Sequence, residues 1–188
     1  MTQYDINVRQ GLPTEMQTLL REYPRDDWPD HPNLAASTRN WLGAHSSFRQ
    51  LAAILQSDTQ QVIDKTLAPE DHAKRLSRFG NLLVHNLHGH HHWEDHSFFP
   101  ELEEADPRFT RGLEMLETDH HEMDGLLENL TGTANRYLKL LHLSPTDAER
   151  ELSALETHTS GIDRFLARHL TDEEDLVVPI LLHHRLRG

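Results

Sequence analysis

The sequence contains no cysteine, no long apolar run and no cluster of basic residues. Without cysteine the chain cannot form disulfides, ligate an iron–sulfur cluster or use thiol catalysis, and it is compatible with a reducing cytosol. The longest apolar run, 176–182, is far too short to span a bilayer. Because the opening segment MTQYDINVRQG has no apolar stretch of the signal-peptide kind, we expect no secretory signal and a cytoplasmic location.

Positive charge is also scarce. The chain has 31 Asp and Glu residues against 18 Lys and Arg residues, which gives a formal net charge of −13. Since no basic stripe is present to bind phosphates, we expect neither a nucleic acid nor an anionic membrane as a partner. At 188 residues the chain is long enough for one well-cored domain and short for two.

The helix signals divide the chain into an N-terminal arm over residues 1–32 and a helical domain over residues 33–188. In the arm, Thr14 and Gln17 have the spacing of a capping box and predict the start of a short helix. Three prolines between residues 24 and 32 then break regular structure.

Four long helices are predicted in the helical domain. They run from about Asn33 to about Asp64, from Pro69 to about Glu104, from after Asp106-Pro107 to about Leu143, and from Ser144 to about Arg185. No stretch alternates with period two, so we predict no strands. Because short connections between long helices favour antiparallel neighbours, the sequence predicts an all-α, up-down-up-down four-helix bundle that carries the arm and its short extra helix.

Each predicted long helix has an apolar stripe with spacings of three and four residues, and each stripe includes a histidine. Two stripes also include a glutamate, and the six residues are His45, His90, Glu94, His120, His169 and Glu173. Residues so spaced line one helix face and pack toward the core. Burying a polar group without a partner costs roughly 2–7 kcal/mol. A metal cluster would partner all six, because imidazole and carboxylate ligate iron, zinc or manganese.

The spacing of these residues repeats along the chain. His90 and Glu94 form a His-x3-Glu motif with a proline ten residues after the histidine, and His169 and Glu173 form the same motif. Residues i and i+4 lie one turn apart on one helix face, so both side chains can reach one metal site. The lone helix histidines are 75 residues apart and the motif histidines 79 residues apart, which indicates two αα halves related by a pseudo-two-fold axis.

With these motifs the sequence resembles the hemerythrin family, in its HHE cation-binding branch, over about residues 36–184. The resemblance implies a four-helix bundle that holds two non-haem iron ions with an oxo or hydroxo bridge. Glu94 and Glu173 would bridge the two irons, and the four stripe histidines would complete the protein ligands. An open position then remains on each metal unless a further protein ligand binds, and zinc or manganese suits the same donors.

One position departs from the oxygen-carrying members of that family. They have a fifth histidine four residues after the histidine of the third long helix, where this chain has Asp124. Three roles stay open for Asp124: ligation, a hydrogen bond, or pairing with Arg49, its counterpart in the other half. His91 and His121 adjoin predicted ligands but lie about 100° around their helices, so a surface or supporting role is expected for them and ligation stays open as the alternative. Without a fifth histidine the two metals look equivalent, which predicts irreversible oxidation by dioxygen in place of reversible carriage.

The predicted surroundings of the metals come from neighbouring residues in the sequence. Three carboxylates are predicted to be solvated or to orient the ligand imidazoles, namely Asp95, Asp172 and Glu174. Four aromatic residues are predicted to pack in the core and to form a dry wall around the metals, namely Trp41, Phe98, Phe99 and Phe165.

The function predicted from this pattern is binding or sensing of dioxygen or nitric oxide. The alternatives are a di-iron oxidoreductase that acts on peroxide, nitric oxide or a small substrate, an iron-handling protein with a labile centre, and a non-redox zinc site. A ferritin-like site would need Glu-x-x-His on two helices, and only Glu117 with His120 fits. The expected partner is a small diatomic ligand or peroxide, and the chain is expected to be a monomer or a dimer.

Overall fold

The structure is a computed structural model that describes residues 3–187. Its α-helices are α1 (Thr18–Glu22), α2 (Ala36–Ile63), α3 (Pro69–Trp93), α4 (Phe99–Ala105), α5 (Thr110–Leu143) and α6 (Pro145–His184). The described residues include no strand, and the predicted all-α four-helix bundle with a short extra helix is confirmed. Among the described helices, none combines the length and the apolar character needed to cross a membrane.

The helix boundaries follow local chemistry that the sequence already displays. Pro69 opens α3, and Glu70 and Asp71 in its first turn complement the positive end of the helix dipole. At the start of α6, the Ser144 hydroxyl donates a hydrogen bond to the Asp147 carboxylate over 2.7 Å. The four long helices therefore begin and end close to the predicted residues.

The second predicted helix differs in one respect, because a π-helical turn over Glu94–Phe98 separates α3 from α4. The Phe99 N–H donates to the carbonyl of Glu94, five residues earlier. Since proline has no N–H to donate, the interruption of α-helical bonding falls directly before Pro100. Pro179, at the equivalent position of the second motif, stays inside α6. The backbone of the two halves is therefore not equivalent where the motifs lie.

The predicted capping box in the arm is wrong. Residues Thr14–Met16 form a 3₁₀ turn, and α1 begins only at Thr18. The Gln17 side-chain amide donates a hydrogen bond of 2.6 Å to the carbonyl of Leu12, so it does not cap a helix that begins at Thr14. Local spacing of Thr and Gln is common by chance, and here the amide closes a turn of the arm instead.

The chain divides into two compact units, and each long helix contributes a segment to both. The first unit comprises the described residues up to 47, the segment 90–121 and the described residues from 167 onward. Its core combines residues of the long helices with Leu12, Met16, Leu19 and Trp28 of the arm. Gly112 lets α5 approach α6 closely here, because a Cβ at this position would lie 2.7 Å from Leu176 Cδ2.

The second unit comprises residues 48–89 and 122–166, and it contains a buried histidine, His72. The Tyr137 hydroxyl lies 3.0 Å from His72 Nδ1, and Thr59 Oγ1 lies 3.4 Å from Nε2. Thr59 donates its own proton to the carbonyl of Leu55 over 2.8 Å. Tyr137 can therefore donate to Nδ1 while His72 Nε2–H donates to Thr59, which suits a neutral imidazole. Burial lowers the pKa of His72 from 6.5 to about 4.

This shift predicts a pH-dependent stability. The folded chain holds His72 neutral down to about pH 4, whereas the unfolded chain protonates it at about pH 6.5. The contribution of neutral His72 to the free energy of unfolding is therefore complete above pH 6.5 and is lost as the pH falls from 6.5 to about 4. Because a difference of one pKa unit corresponds to about 1.4 kcal/mol, the free energy of unfolding should fall by about 3 kcal/mol. Urea unfolding of the metal-free protein and of His72→Gln, measured between about pH 7 and about pH 4.5, should show a shallower dependence in the variant. Equal slopes would contradict the assignment.

Candidate metal centre

The six predicted ligands lie together in the first unit. His45 is on α2 and His90 on α3, His120 is on α5, and His169 and Glu173 are on α6. Glu94 is the first residue of the π turn that follows α3. Five of the six are at most 2% exposed, and the side chain of His90 is 10% exposed. Imidazole and carboxylate groups from α2, from α3 and its π turn, from α5 and from α6 therefore lie together in one buried site.

The Nε2 atoms of the four histidines face the two glutamates. Glu94 Oε1 lies 2.9 Å from His90 Nε2, whereas Glu94 Oε2 lies 3.8 Å from His120 Nε2. The two oxygens of this carboxylate therefore face different histidines, as a bridging ligand requires. Glu173 Oε2 lies 3.5 Å from the Nε2 atoms of both His45 and His169.

The donor atoms form groups small enough to hold an ion. One group comprises His45, His90 and Glu94, and a second comprises Glu94, His120 and Glu173. Within each group, one ligand atom per residue lies within 4.8 Å of the others. Glu94 belongs to both groups, so the arrangement suits two adjacent ions with a shared carboxylate.

The outer nitrogens of three histidines each face a carboxylate. The pairs, measured from Nδ1, are His45 with Glu174 at 3.1 Å, His120 with Asp95 at 2.6 Å, and His169 with Asp119 at 3.1 Å. A carboxylate at Nδ1 fixes the proton there and leaves the Nε2 lone pair directed inward, which is the tautomer a metal ligand needs.

These pairs confirm part of the predicted surroundings. Asp95 and Glu174, each adjacent to a predicted bridging glutamate, accept the Nδ1 protons as expected. Asp172 instead binds Arg9 and Arg168 and contacts no histidine among the hydrogen bonds of the described chain. Asp119 takes this role for His169, a contact between α5 and α6 that the sequence analysis did not predict.

The inward atoms fit a bound cation. In the described part of the chain, Glu94 Oε2, His120 Nε2 and both carboxylate oxygens of Glu173 are buried without a hydrogen-bond partner. Each such atom costs about 1–3 kcal/mol if it stays unpartnered. A divalent cation satisfies all of them together, and nitrogen and oxygen donors of this kind suit iron, zinc or manganese.

The pKa values of the two glutamates point the same way. Burial, together with the charge of Glu94, raises the pKa of Glu173 well above its ordinary value. Burial alone would also raise the pKa of Glu94, but the imidazoles of His45 and His90 outweigh it and hold that pKa well below the ordinary range. Metal binding would therefore compete with a proton at Glu173 more than at Glu94.

Three of the four aromatic residues predicted to enclose the site, Trp41, Phe98 and Phe99, lie in the first unit, whereas Phe165 lies in the second. The ring of Trp41 lies 4.0 Å from that of His45, and Phe98 packs edge-on against Trp41 at 5.9 Å. Trp41 also has a polar role that the sequence did not predict, because its Nε1–H donates to Glu94 Oε1 over 2.6 Å. The indole thereby fixes one oxygen of the carboxylate that belongs to both donor groups.

The arm contributes one residue to the site's surroundings. Arg9 is only 6% exposed, and its Nη1 donates to Asp119 Oδ1 over 3.0 Å while Nε donates to Asp172 Oδ2 over 2.7 Å. Burial would raise the pKa of Asp119, but its bonds with His169 and Arg9 lower it below the ordinary value. Arg9 therefore keeps Asp119 ionised and in place to accept the Nδ1 proton of His169.

Replacing Arg9 with alanine should therefore be costly. Asp119 would be left as an uncompensated buried charge, for which a loss of about 3–5 kcal/mol in the free energy of unfolding is expected. Metal affinity should fall about 10–100-fold, as is typical when an outer partner of a ligand is removed. The measurements are urea unfolding and competition with a metal chelator.

The matched control is Lys74→Ala, which breaks an ion pair with Asp71 whose side chains are 77% and 59% exposed. It should cost less than about 1 kcal/mol and leave metal affinity unchanged. Similar effects of the two substitutions would show that Arg9 does not support the site.

The three residues considered as extra ligands are placed differently. His121 is exposed. Asp124 belongs to the second unit, its side chain is 49% exposed, and its Oδ1 lies 3.9 Å from His88 Nε2. His91 lies in the first unit and is buried, with its ring stacked on that of His120 at 3.9 Å.

Comparisons with known proteins support the same conclusion. No curated protein and no solved structure matched the chain. The family model described as the hemerythrin HHE cation binding domain matches residues 36–181, a range that includes all six predicted ligands and most of the 188 residues. The chain therefore belongs to the hemerythrin family, through its HHE cation-binding domain, and with it to a family of metal-binding, typically iron-binding, helical proteins.

Proposed function

We propose that this protein is a non-haem di-iron protein that binds or senses dioxygen or nitric oxide. The observation that carries the proposal is the pair of buried glutamates whose oxygens face the Nε2 atoms of four histidines. His45 and His90 would hold one iron, and His120 and His169 the other. Glu94 and Glu173 would be shared between them. Two irons bound here would supply redox-active positions for a small diatomic ligand or peroxide.

The protein's own groups would prepare the site in three ways. Asp95, Asp119 and Glu174 hold the ligand imidazoles in the tautomer that directs Nε2 inward. The Trp41 N–H holds one oxygen of Glu94 and limits its rotation. The apolar walls of Trp41 and Phe98 keep water away from the α2 side and so strengthen the electrostatic interactions within.

The burial of the site favours one of the alternative functions over another. Glu94 and Glu173 are fully buried, and three ligand histidines are held by carboxylates on their outer side. A site with such support favours a retained centre over a labile one that donates iron to other proteins. An oxidoreductase would use the same ligands, so turnover is the property that separates it from a binding protein.

The test begins with protein expressed with added iron. We expect about two irons per chain, as two groups of donors with shared carboxylates require, and an optical spectrum that changes on anaerobic reduction. Nitric oxide added to the reduced protein should change the spectrum again. Retention of a single ion, or of zinc with no redox change in iron-supplemented cells, would refute the proposal. Catalytic consumption of peroxide or nitric oxide would assign an oxidoreductase instead.

A further inference from the structure

We propose that His91 is a fifth histidine ligand of this centre, so that α3 supplies one imidazole to each of the two metals. The inference rests on the proposed di-iron function and adds to it an asymmetry between the metals. His90 would bind the metal on the side of His45, and His91 the metal on the side of His120 and His169. Neither a His-x3-Glu motif nor a lone helix histidine includes His91.

The first support is the burial of an unsatisfied imidazole. His91 is 4% exposed, and within the described chain neither of its ring nitrogens has a hydrogen-bond partner. The other deeply buried histidine outside the predicted ligands, His72, has its ring nitrogens at hydrogen-bonding distance from Tyr137 and Thr59. A neutral imidazole needs a donor for one nitrogen and an acceptor for the other, and a metal ion satisfies the first need.

The second support is the position of His91 beside two predicted ligands, His120 and His169. Its ring stacks on that of His120 with centroids 3.9 Å apart and planes 9° apart, and it meets the ring of His169 edge-on at 5.6 Å. One ring nitrogen from each of these three histidines lies within 4.8 Å of the others, and all three residues are buried. Three imidazole nitrogens at such separations can share one ion once the ring of His91 turns out of its stack on His120, because the lone pair of an imidazole lies in the plane of the ring.

Helix geometry accounts for adjacent residues serving different metals. Successive side chains on an α-helix are rotated by about 100°. His90 Nε2 points toward α2 and lies 2.9 Å from His45 Nε2, whereas His91 is turned toward α5 and α6. The rotation that turns His91 away from the metal of His90 is the rotation that brings it to the second donor group.

The ligand count then differs between the two metals. Glu94 and Glu173 would serve both, and a solvent-derived bridge would add one more ligand to each. Three histidines bring the metal of His91 to six ligands, and two bring the metal of His45 and His90 to five. One position would therefore stay open, on the metal of His45 and His90, and the two metals would differ in their number of histidines. Asp124, which lies in the second unit, is not needed to close a position.

The experiment compares His91→Ala with His121→Ala. His121 follows His120 as His91 follows His90, but it is exposed, so it is a matched control for loss of the histidine next to a ligand. Azide serves as the probe of open positions in the diferric protein. We expect about one azide per centre in the wild type and in His121→Ala, and about two in His91→Ala. Added imidazole should return His91→Ala to about one, a rescue that a packing role would not allow.

The wild type gives a second test that needs no variant. With ⁵⁷Fe, unequal ligand sets should give two Mössbauer quadrupole doublets of equal area, and these should persist in His121→Ala. If His91→Ala does not fold, His91→Phe keeps an aromatic ring in the stack and should show the same change in azide binding. Azide binding that is unchanged in the His91 variants, or a single doublet in the wild type, would overturn the inference. A wild type that does not hold two irons would overturn the proposed function itself.

Discussion

Substitution of Glu94 or Glu173 by alanine should remove metal from both positions at once. Glu94 belongs to two donor groups, and its two oxygens face His90 and His120 from one carboxylate. Glu173 Oε2 lies equally far, 3.5 Å, from His45 and His169. In the proposed centre, loss of either glutamate would therefore take a ligand from each metal, whereas loss of one histidine would take a ligand from one.

Removing a residue that hydrogen-bonds to a metal ligand typically lowers metal affinity by about 10–100-fold. Removing a ligand shared by both metals should have a larger effect, so we expect each glutamate substitution to lower metal affinity by more than about 100-fold. Metal analysis after gel filtration, with chelator competition, provides the measurement. His92→Ala and His121→Ala are the controls, because both residues are exposed and lie within two residues of a predicted ligand in the sequence. Equal metal loss in all four variants would show that the inner carboxylates do not bridge.

Much of the fold follows from local features of the sequence. The 3/4 spacing of apolar residues predicts which face of each long helix is buried, and prolines and acidic first turns predict where helices begin. The same periodicity placed His45, His120 and His169 on inward faces, and each is at most 2% exposed. Six candidate ligands could be named because polar groups buried at regular spacing are costly unless a shared cation partners them.

The parts that were not predicted depend on contacts distant in sequence. Arg9 reaches Asp172 across 163 residues, and nothing in the arm's local sequence indicates that contact. The π turn at Glu94–Phe98 lies directly before Pro100, while the equivalent Pro179 leaves α6 unbroken, and the motif sequences do not indicate this difference. Local motifs that look identical can therefore have different backbones.

His91 shows a limit of periodicity itself. A heptad-like stripe assigns one face of a helix to the core, and His91 lies about 100° from the face of His90. In a site surrounded by four segments, however, a helix is in contact with partners on more than one side. Which of two adjacent histidines is buried thus depends on the rotation of α3 relative to α2, α5 and α6, and the sequence alone does not contain that rotation.

Removal of the metal should loosen the first unit without abolishing the helices. The described chain leaves buried atoms of Glu94, His91, His120 and Glu173 without hydrogen-bond partners once no ion is bound, at about 1–3 kcal/mol each. For a chain of this size each kcal/mol lowers the melting temperature by about 2–4 °C, so a decrease on the order of 10 °C or more is expected. Thermal melts with and without chelator, followed by circular dichroism, give the comparison.

The helical signal should largely survive at room temperature, because the apolar core of the first unit does not depend on the ion. Its members include Phe98, Phe99, Leu116 and Leu181, all at most 1% exposed. The control is Glu94→Ala, which should hold little metal and should melt at nearly the same temperature with and without chelator. An apo wild type that melts like the holo form would place the ion outside the core.

The effect of a substitution at Glu173 on the melting temperature should have opposite signs in the metal-free and the metal-bound protein. Removing both the polar group and its need for a partner can stabilise a protein, whereas removing a ligand from an occupied site destabilises it. Methionine is unbranched, close to glutamate in volume and a good helix former, so Glu173→Met keeps α6 intact while it deletes two orphaned oxygens. In chelator the variant should melt higher than the wild type, and in iron-loaded samples it should melt lower. The same order under both conditions would mean that Glu173 is held by protein contacts and not by a metal, because only an ion can make this carboxylate stabilising in one state and destabilising in the other.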